Sequence, residues 1–275
     1  MAEIKATDVA KLRKMTGAGM MDCKNALTEA NGDFDRAQEI IREKGKLVAA
    51  KRADRETTEG AVIAKIAENG KNGIIVALGC ETDFVAKTDD FKTLANKIAN
   101  SVIANIPENK EALEAIVIDG SSIAQLISDQ TGKSGEKHVI ASYEKISGDY
   151  LVSYIHTNNK LATIVSFNKV IPVETGKDIA MQVTAMNPVS ISKDNCPQEV
   201  IERELQIGRE QARLDKKPEN MIEKIATGKL SKFFKDNTLN EQDFIKDAKI
   251  SVAQYLKAAD PEAVITGFIR FSLND

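Results

Sequence analysis

The sequence contains no tryptophan, and only two histidines (His138 and His156) and three cysteines (Cys23, Cys80 and Cys196) occur among its 275 residues. So few histidines leave little material for acid–base catalysis near neutral pH. The cysteines lie far apart, with neither the CxxC spacing nor the spacing of metal ligands. The pattern predicts reduced, mostly buried thiols in a cytoplasmic protein, and no metal site.

The chain also lacks a basic excess and long hydrophobic runs. Its formal net charge is −3, whereas general nucleic-acid binders are strongly basic. No run reaches the length of a membrane-spanning helix. The N-terminal "MAEIKATDV" has neither the basic nor the apolar region of a secretory signal. We therefore expect a cytoplasmic protein that makes no direct contact with nucleic acid or membrane.

Catalytic and cofactor motifs are missing as well. No GxSxG, HExxH, Walker or GxGxxG pattern occurs. The glycines of "TGAGMMD" are not followed by Lys-Ser/Thr and no strand precedes them, which argues against a phosphate loop. Asp89 and Asp90 could form a carboxylate pair, but at the start of a predicted helix capping is the better interpretation. The sequence favours an interaction protein without cofactors over an enzyme.

Residues 1–54 predict a compact module of three short helices followed by a linker, because apolar residues recur there at helical spacing. We expect Thr7 to cap the first helix and the "NG" pair to end the second. Either Asp33 or Asp35 caps the third helix, and Gly45 is expected to end it.

A strand–turn–strand–loop–helix pattern then occurs twice. The two hairpins read "EGAVIAKIAENGKNGIIVALG" and "GDYLVSYIHTNNKLATIVSFN". Such a pattern is typical of an α+β fold with helices on one face of an antiparallel sheet. We predict two related α+β subdomains, residues 55–147 and 148–275. The last segment predicts a helix and then a strand, Val264 to Leu273, that completes the second sheet.

Within the second subdomain, residues 197–235 predict an inserted antiparallel helical hairpin. Pro218 stands near the start of its second helix, where proline is well tolerated. The apolar seam is narrow and its flanks are heavily charged, as in a coiled coil, so we expect the hairpin to project from the body.

The segment "CETDFVAK" connects a buried strand to an amphipathic helix, yet it carries Phe84 beside Asp83. Phe84 either packs into the sheet or projects as an apolar wedge toward another protein. Met20 and Met21 raise a similar question. Neighbouring helical positions point about 100° apart, so we expect one methionine to face outward and to suit an adaptable protein contact.

Two long motifs carry a family resemblance: "RKMTGAGMMDCKNALTEANGDFDRAQEIIREKG" and "CETDFVAK". Together with the ending "VITGFIRF", they resemble the elongation factor Ts family over essentially the whole chain. The resemblance implies a ubiquitin-associated-like (UBA-like) N-terminal domain, a core of two related α+β subdomains and an inserted coiled-coil hairpin. It implies a guanine nucleotide exchange factor for the translational GTPase elongation factor Tu.

The resemblance also implies two sets of partner-binding residues. The segment that dislodges Mg²⁺ in elongation factor Tu corresponds to Thr82, Asp83, Phe84 and Val85. Other contacts with elongation factor Tu correspond to Met20, Met21 and His156. The implied partner is elongation factor Tu in its GDP-bound and nucleotide-free states, and an assembly of two copies of each protein is compatible with the resemblance.

One departure concerns the turn after His156, where many members of the family have glycines and this chain has Thr157-Asn158-Asn159. Asparagine tolerates the left-handed conformation, so we expect the turn to persist. Two other functions stay open at this stage. One is a UBA-type adaptor without exchange activity, and the other is a small enzyme that uses His156 and Asp83.

Overall fold

A computed structural model describes residues 4–275 of the chain. Its first three elements are helices, as predicted from the apolar spacing: α1 (Ala6–Thr16), α2 (Met20–Glu29) and α3 (Phe34–Lys51). Their apolar faces meet in a small core that includes Leu12, Cys23, Leu27 and Ile40. Asn31 and Gly32, which follow α2, both have positive φ (51° and 89°), so the "NG" pair ends the helix as expected.

The chain then forms the first predicted hairpin and the helix that follows it. The elements are β1 (Glu59–Ile66), β2 (Asn72–Cys80), the one-turn helix α4 (Asp83–Ala86) and α5 (Asp89–Asn105). After them come α6 (Lys110–Ala115), β3 (Val117–Ile118), β4 (Ser121–Ser122), α7 (Ile123–Ser134) and β5 (Val139–Ser147).

The second hairpin and its helix repeat this plan. The elements are β6 (Tyr150–Ile155), β7 (Leu161–Phe167) and α8 (Val173–Met186). A short 3₁₀ turn leads into two antiparallel helices that pack along each other, α9 (Gln198–Leu214) and α10 (Glu219–Asn237). The chain ends with β8 (Asp243–Phe244), β9 (Asp247–Ser251), α11 (Val252–Ala259) and β10 (Ile265–Ser272).

Two three-stranded antiparallel sheets organise the core, with the orders β1-β2-β5 and β6-β7-β10. In each sheet a hairpin is joined by a third strand that pairs with the second strand of the hairpin. The α+β class is therefore confirmed, and so is the prediction that a C-terminal strand completes the second sheet. The common strand order also agrees with the repeat seen in the sequence.

The sheets pack face to face, and helices cover their outer faces. Residues of β1, β2, β6 and β7 form the apolar layer between the sheets. A second cluster lies between β2 and α5, and a third between β7 and α8. Since β2 is covered on both faces, every residue from Gly73 to Cys80 is buried. This explains its continuous apolar run, because a strand with one solvent face would alternate.

Two helix boundaries in the first module differ from the predictions. Lys5, not Thr7, is the residue before α1, and it makes no side-chain capping bond. Asp33 is the cap of α3, since its carboxylate accepts from the backbone N–H groups of Asp35 and Arg36. Gly45 does not end α3. Gly45 lies inside the helix, and its missing side chain allows α3 to approach Gly132 of α7.

The segment before α5 also needs correction. The connection "ETDFVAK" contains α4 rather than only irregular chain. The cap of α5 is Thr88, whose hydroxyl accepts from the Phe91 N–H at 3.3 Å. Asp89 and Asp90 occupy the first turn of α5, where carboxylates interact favourably with the helix dipole. They are therefore explained by helix formation without any catalytic role.

The final segment was expected to begin with a helix, but the β8–β9 hairpin comes first. Tertiary contacts account for the difference. The Phe244 ring is buried and stacks on Tyr255 with 4.0 Å between ring centroids. The side-chain oxygen of Gln182 in α8 accepts from the Ile245 N–H at 2.8 Å. Local sequence spacing contains no sign of these distant partners.

Candidate functional site

The one-turn helix α4 presents one apolar side chain to solvent and holds the next one inside. Phe84 is 82% exposed, whereas Val85 packs against the cluster between β2 and α5. The interpretation that Phe84 packs into the sheet is therefore wrong. Burying a phenylalanine side chain is worth about 1.5–3 kcal/mol. The exposed Phe84 side chain contributes none of this burial free energy to folding, and its apolar surface is available to a partner.

Asp83 places a negative charge beside the exposed ring. Its carboxylate pairs with Lys87 one turn later, at 2.5 Å. The hydrogen bond from Lys87 lowers the pKa of Asp83 below its ordinary value, so the group is ionised at neutral pH. Both side chains are open to solvent, and such exposed pairs add little to stability. The outer face of α4 thus combines an apolar tip with an accessible carboxylate.

Thr82 joins α4 to a distant part of the chain. Its hydroxyl accepts from the Val85 N–H at 3.5 Å and so caps the short helix. The same residue donates its backbone N–H and its hydroxyl to the carboxylate of Glu136, at 3.0 and 2.6 Å. Sequence reasoning missed Glu136, and no local pattern marks it, because the two residues are 54 positions apart.

His156 follows β6 at the turn of the second hairpin. Its backbone N–H donates to the Leu161 carbonyl and its own carbonyl accepts from the Asn159 N–H, both at 2.8 Å. Asn159 has φ 56°, so asparagine supports the left-handed turn as expected. The imidazole is half-buried, with Nδ1 3.3 Å from the Tyr154 hydroxyl. Within the described residues no serine, cysteine or carboxylate side chain is hydrogen-bonded to this imidazole, so its geometry gives no support to the enzyme hypothesis.

The fold brings the turn after His156 and α4 to the same end of β1. The first residue of β1, Glu59, pairs with Cys80 at the end of β2, shortly before α4. Glu59 also forms an ion pair with Lys160 of the second hairpin turn. Farther along β1, the Val62 N–H donates to the Asn159 carbonyl at 2.7 Å. Two segments that are distant in sequence therefore lie beside one strand.

Met20 and Met21 lie on a different element, at the start of α2, and are 47% and 65% exposed. We expected only one of them to face outward. Both do, because the buried face of α2 begins only at Cys23. Two exposed methionines form an adaptable apolar surface, suited to a protein contact.

Within residues 4–275 no group of three or more His, Cys, Asp or Glu side chains is arranged to hold a metal ion. None of the helices in that range combines the length and apolar character needed to cross a bilayer.

Comparison with known proteins agrees with the resemblance seen in the sequence. A family model described as elongation factor TS matches residues 81–275. A Porphyromonas gingivalis protein named elongation factor Ts is 51% identical over 268 residues, which cover 97% of each chain. Its Cytophaga hutchinsonii namesake is 47% identical over 278 residues, and the match covers 100% of both chains. The chain therefore belongs to the elongation factor Ts family.

Proposed function

We propose that this protein is a guanine nucleotide exchange factor for elongation factor Tu in protein biosynthesis. It would bind the GDP-bound GTPase in the cytoplasm, disturb the site of Mg²⁺ and phosphate, and promote the replacement of GDP by GTP. The observation that carries the proposal is the exposed Phe84 ring beside the ionised Asp83 on α4. Family membership supplies the partner.

The chemistry of Mg²⁺ explains why a small displacement is enough. The ion demands near-ideal octahedral geometry and is held in GTPases by a few protein oxygens and the nucleotide phosphates. A wedge that shifts one of the elements holding it weakens this coordination. The bound diphosphate then loses its main counter-charge, and GDP leaves more readily.

The four residues of the α4 segment have distinct parts in this proposal. Phe84 is the apolar wedge, and Asp83 perturbs the polar contacts around the cation. Thr82 and Val85 hold the turn from the protein side, through hydrogen bonds and packing respectively. All four would act by binding, so no covalent step and no cofactor of this protein is required.

Thermodynamic linkage accounts for release of the factor. An exchange factor stabilises the nucleotide-free state of its partner. Bound nucleotide must therefore weaken the factor's affinity by the same ratio as the factor weakens nucleotide binding. GTP that enters the emptied site would eject the factor, which can then act again. The protein changes rates without undergoing a chemical reaction itself.

Additional contacts would involve Met20, Met21 and His156. In this proposal residues 1–54 form a UBA-like domain, and residues 55–147 and 148–275 form the two core subdomains. The helical hairpin at about 197–235 would be the coiled-coil insertion. Assemblies of one or of two copies of each protein both fit the proposal, and sedimentation of the purified complex would distinguish them.

The direct test is the release of a fluorescent GDP analogue from elongation factor Tu at fixed Mg²⁺, with and without this protein. Acceleration is expected, and repeating the assay in excess EDTA should remove most of the advantage, because the ion is then already absent. Binding without acceleration would contradict the proposal and would instead support a UBA-type adaptor.

A further inference from the structure

The conformation of α4 cannot come from its own sequence alone. It is a single turn of four residues, whereas isolated helices need about 12–15 residues to be even marginally stable in water. Its N-terminal side-chain cap, the bond from the Val85 N–H to the Thr82 hydroxyl, is long at 3.5 Å. Contacts from elsewhere in the chain must therefore hold this turn in place.

Glu136 supplies two of these contacts. It lies in the connection between α7 and β5 and is half-buried. Its two carboxylate oxygens accept separately from Thr82, one from the backbone N–H and one from the hydroxyl. A hydroxyl has a single proton to donate. Because that proton is committed to Glu136, a lone pair of the hydroxyl oxygen faces the Val85 N–H.

Glu81 fastens the same segment from the preceding position. Its carboxylate accepts from the Arg52 guanidinium at 2.7 and 2.9 Å and from the Lys137 N–H at 2.7 Å. Arg52 directly follows α3, so the end of the first module is tied to the start of the α4 segment. Burial disfavours ionisation of Glu81, but the Lys137 amide and Arg52 outweigh it and lower the pKa of Glu81.

Lys137 supplies a third set of contacts, which completes the hydrogen-bond network. The Lys137 ammonium donates to the carbonyls of Ala53 and Arg55, at 2.6 and 2.9 Å. Residues 52–55, 81–82 and 136–137 therefore form one hydrogen-bonded cluster. Charge-assisted hydrogen bonds such as these are roughly twice as strong as neutral ones. The cluster holds the base of α4 while Phe84 stays free.

We propose that Glu136 is a positioning residue for nucleotide exchange: by holding Thr82 through two hydrogen bonds, it keeps α4 in the conformation that projects Phe84. This role rests on the proposed function. Glu136 need not touch the partner, because its effect is transmitted through Thr82 and the short helix. Its loss should therefore slow GDP release more than it weakens the complex.

The test is a double-mutant cycle on GDP release from elongation factor Tu at saturating factor, using Glu136→Ala, Phe84→Ala and the double variant. Glu136→Ala is expected to lower the maximal rate about fivefold to tenfold. This is less than the full effect of losing two charge-assisted hydrogen bonds, because packing of Val85 still holds part of α4 in place. The half-saturating concentration should change less than about twofold. If Glu136 acts through Phe84, the double variant is no slower than Phe84→Ala alone.

Two further variants separate positioning from general damage. Glu136→Gln should recover part of the rate, because its amide oxygen can accept from the Thr82 N–H while its NH₂ donates to the hydroxyl. Glu144→Ala removes an exposed carboxylate from neighbouring β5 and should match the wild type. Should Glu136→Ala fail to fold, Thr82→Val undergoes the same cycle; it removes the hydroxyl bonds to Glu136 and to the Val85 N–H but keeps the bond from the Thr82 N–H to Glu136.

Amide hydrogen exchange in the free protein adds a readout independent of the partner. Faster exchange confined to residues 82–88 in Glu136→Ala would support the positioning role. Multiplicative rate effects in the cycle, or a wild-type rate in Glu136→Ala, would overturn that role while leaving the proposed function intact. No acceleration by the wild-type protein would overturn the proposed function and this role with it.

Discussion

Gly45 of α3 and Gly132 of α7 cross with their backbones in contact. A Cβ atom on Gly132 would lie 2.9 Å from the Cα of Gly45, and one on Gly45 would lie 3.2 Å from the Ser128 carbonyl oxygen. These neighbours are backbone atoms, which cannot rotate away as a flexible side chain can. The crossing packs the three-helix module against the core through two missing side chains.

Substituting Gly132 with alanine should therefore loosen this crossing. The added methyl group forces α3 away from α7, and overpacking of this kind typically costs about 1–3 kcal/mol. The free energy of unfolding, measured by urea titration, should fall by that amount. Amide exchange in α3 should become faster than in β2, because the module separates before the core unfolds.

Gly228→Ala provides the matched control for a helical glycine. Gly228 lies within α10, and a Cβ built there has no neighbour within 4 Å. Alanine should stabilise the protein by about 0.5–1 kcal/mol, because it reduces the conformational freedom of the unfolded chain. If Gly132→Ala and Gly228→Ala changed the free energy of unfolding in the same direction, the close packing of α3 on α7 would not explain the effect of Gly132→Ala.

Gly45 shows what sequence patterns can and cannot predict. Periodicity located the long helices and the two core hairpins, but not α4 or the β8–β9 hairpin, because burial of one face imposes a local spacing only on longer elements. Gly45 was misinterpreted as a helix end because a terminating glycine and a packing glycine look alike in local sequence. Only the position of Gly132, far along the chain, distinguishes them.

The candidate site divides in the same way. The "CETDFVAK" motif marks Thr82, Asp83 and Phe84 as candidates, since these residues are contiguous and resemble a family segment. Whether Phe84 is buried or exposed was left open, because the answer depends on how α4 sits on β1 and β2. Glu136 was missed because its hydrogen bonds to Thr82 join segments that are distant in the chain.

A pH dependence of stability is expected from His138, which is 4% exposed. Its Nδ1 lies 2.9 Å from the Glu136 carbonyl, an acceptor, so Nδ1 carries the proton. Among residues 4–275, Nε2 of this ring has no hydrogen-bond partner. Burial lowers the pKa of His138 below its ordinary value, although the Glu136 carbonyl and the carboxylates of Glu136 and Glu81 act in the opposite direction.

The direction of the effect follows from proton binding. Below about pH 6.5 the unfolded chain takes up a proton on this imidazole, whereas the folded protein does so only at lower pH. Stability should therefore fall as pH drops from about 6.5 toward the folded-state pKa of His138, by at most about 1.4 kcal/mol per pH unit. Above this window His138 contributes no slope.

Urea unfolding at a series of pH values between about 5.5 and 7.5 measures this slope. The slope should be shallower in a His138→Gln variant, whatever its absolute stability. His156→Gln, which removes the only other histidine of the sequence, is the control for loss of an imidazole. Equal slopes in the wild type and in His138→Gln would show that buried His138 is not responsible.

The last prediction is that Phe84 contributes more to the rate of GDP release than to binding of elongation factor Tu. Because Phe84 is exposed, Phe84→Ala should leave the free energy of unfolding within about 0.5 kcal/mol of wild type. A wedge contributes mainly to the state in which the Mg²⁺ site is disturbed. The maximal rate of GDP release should fall about thirtyfold, corresponding to a hot-spot loss of about 2 kcal/mol.

The affinity for GDP-bound elongation factor Tu should change much less than this rate, by less than about threefold. Calorimetric titration would measure this affinity. Val117→Ala removes another exposed apolar side chain, 66% exposed on β3, and should leave both rate and affinity unchanged. A loss of affinity in Phe84→Ala with an unchanged maximal rate would mean that the ring only adds contact area. In that case the disturbance of the Mg²⁺ site would have to come from Asp83 or from contacts outside α4, because an interaction that strengthens the ground state and the exchange-competent state equally cannot accelerate exchange at saturation.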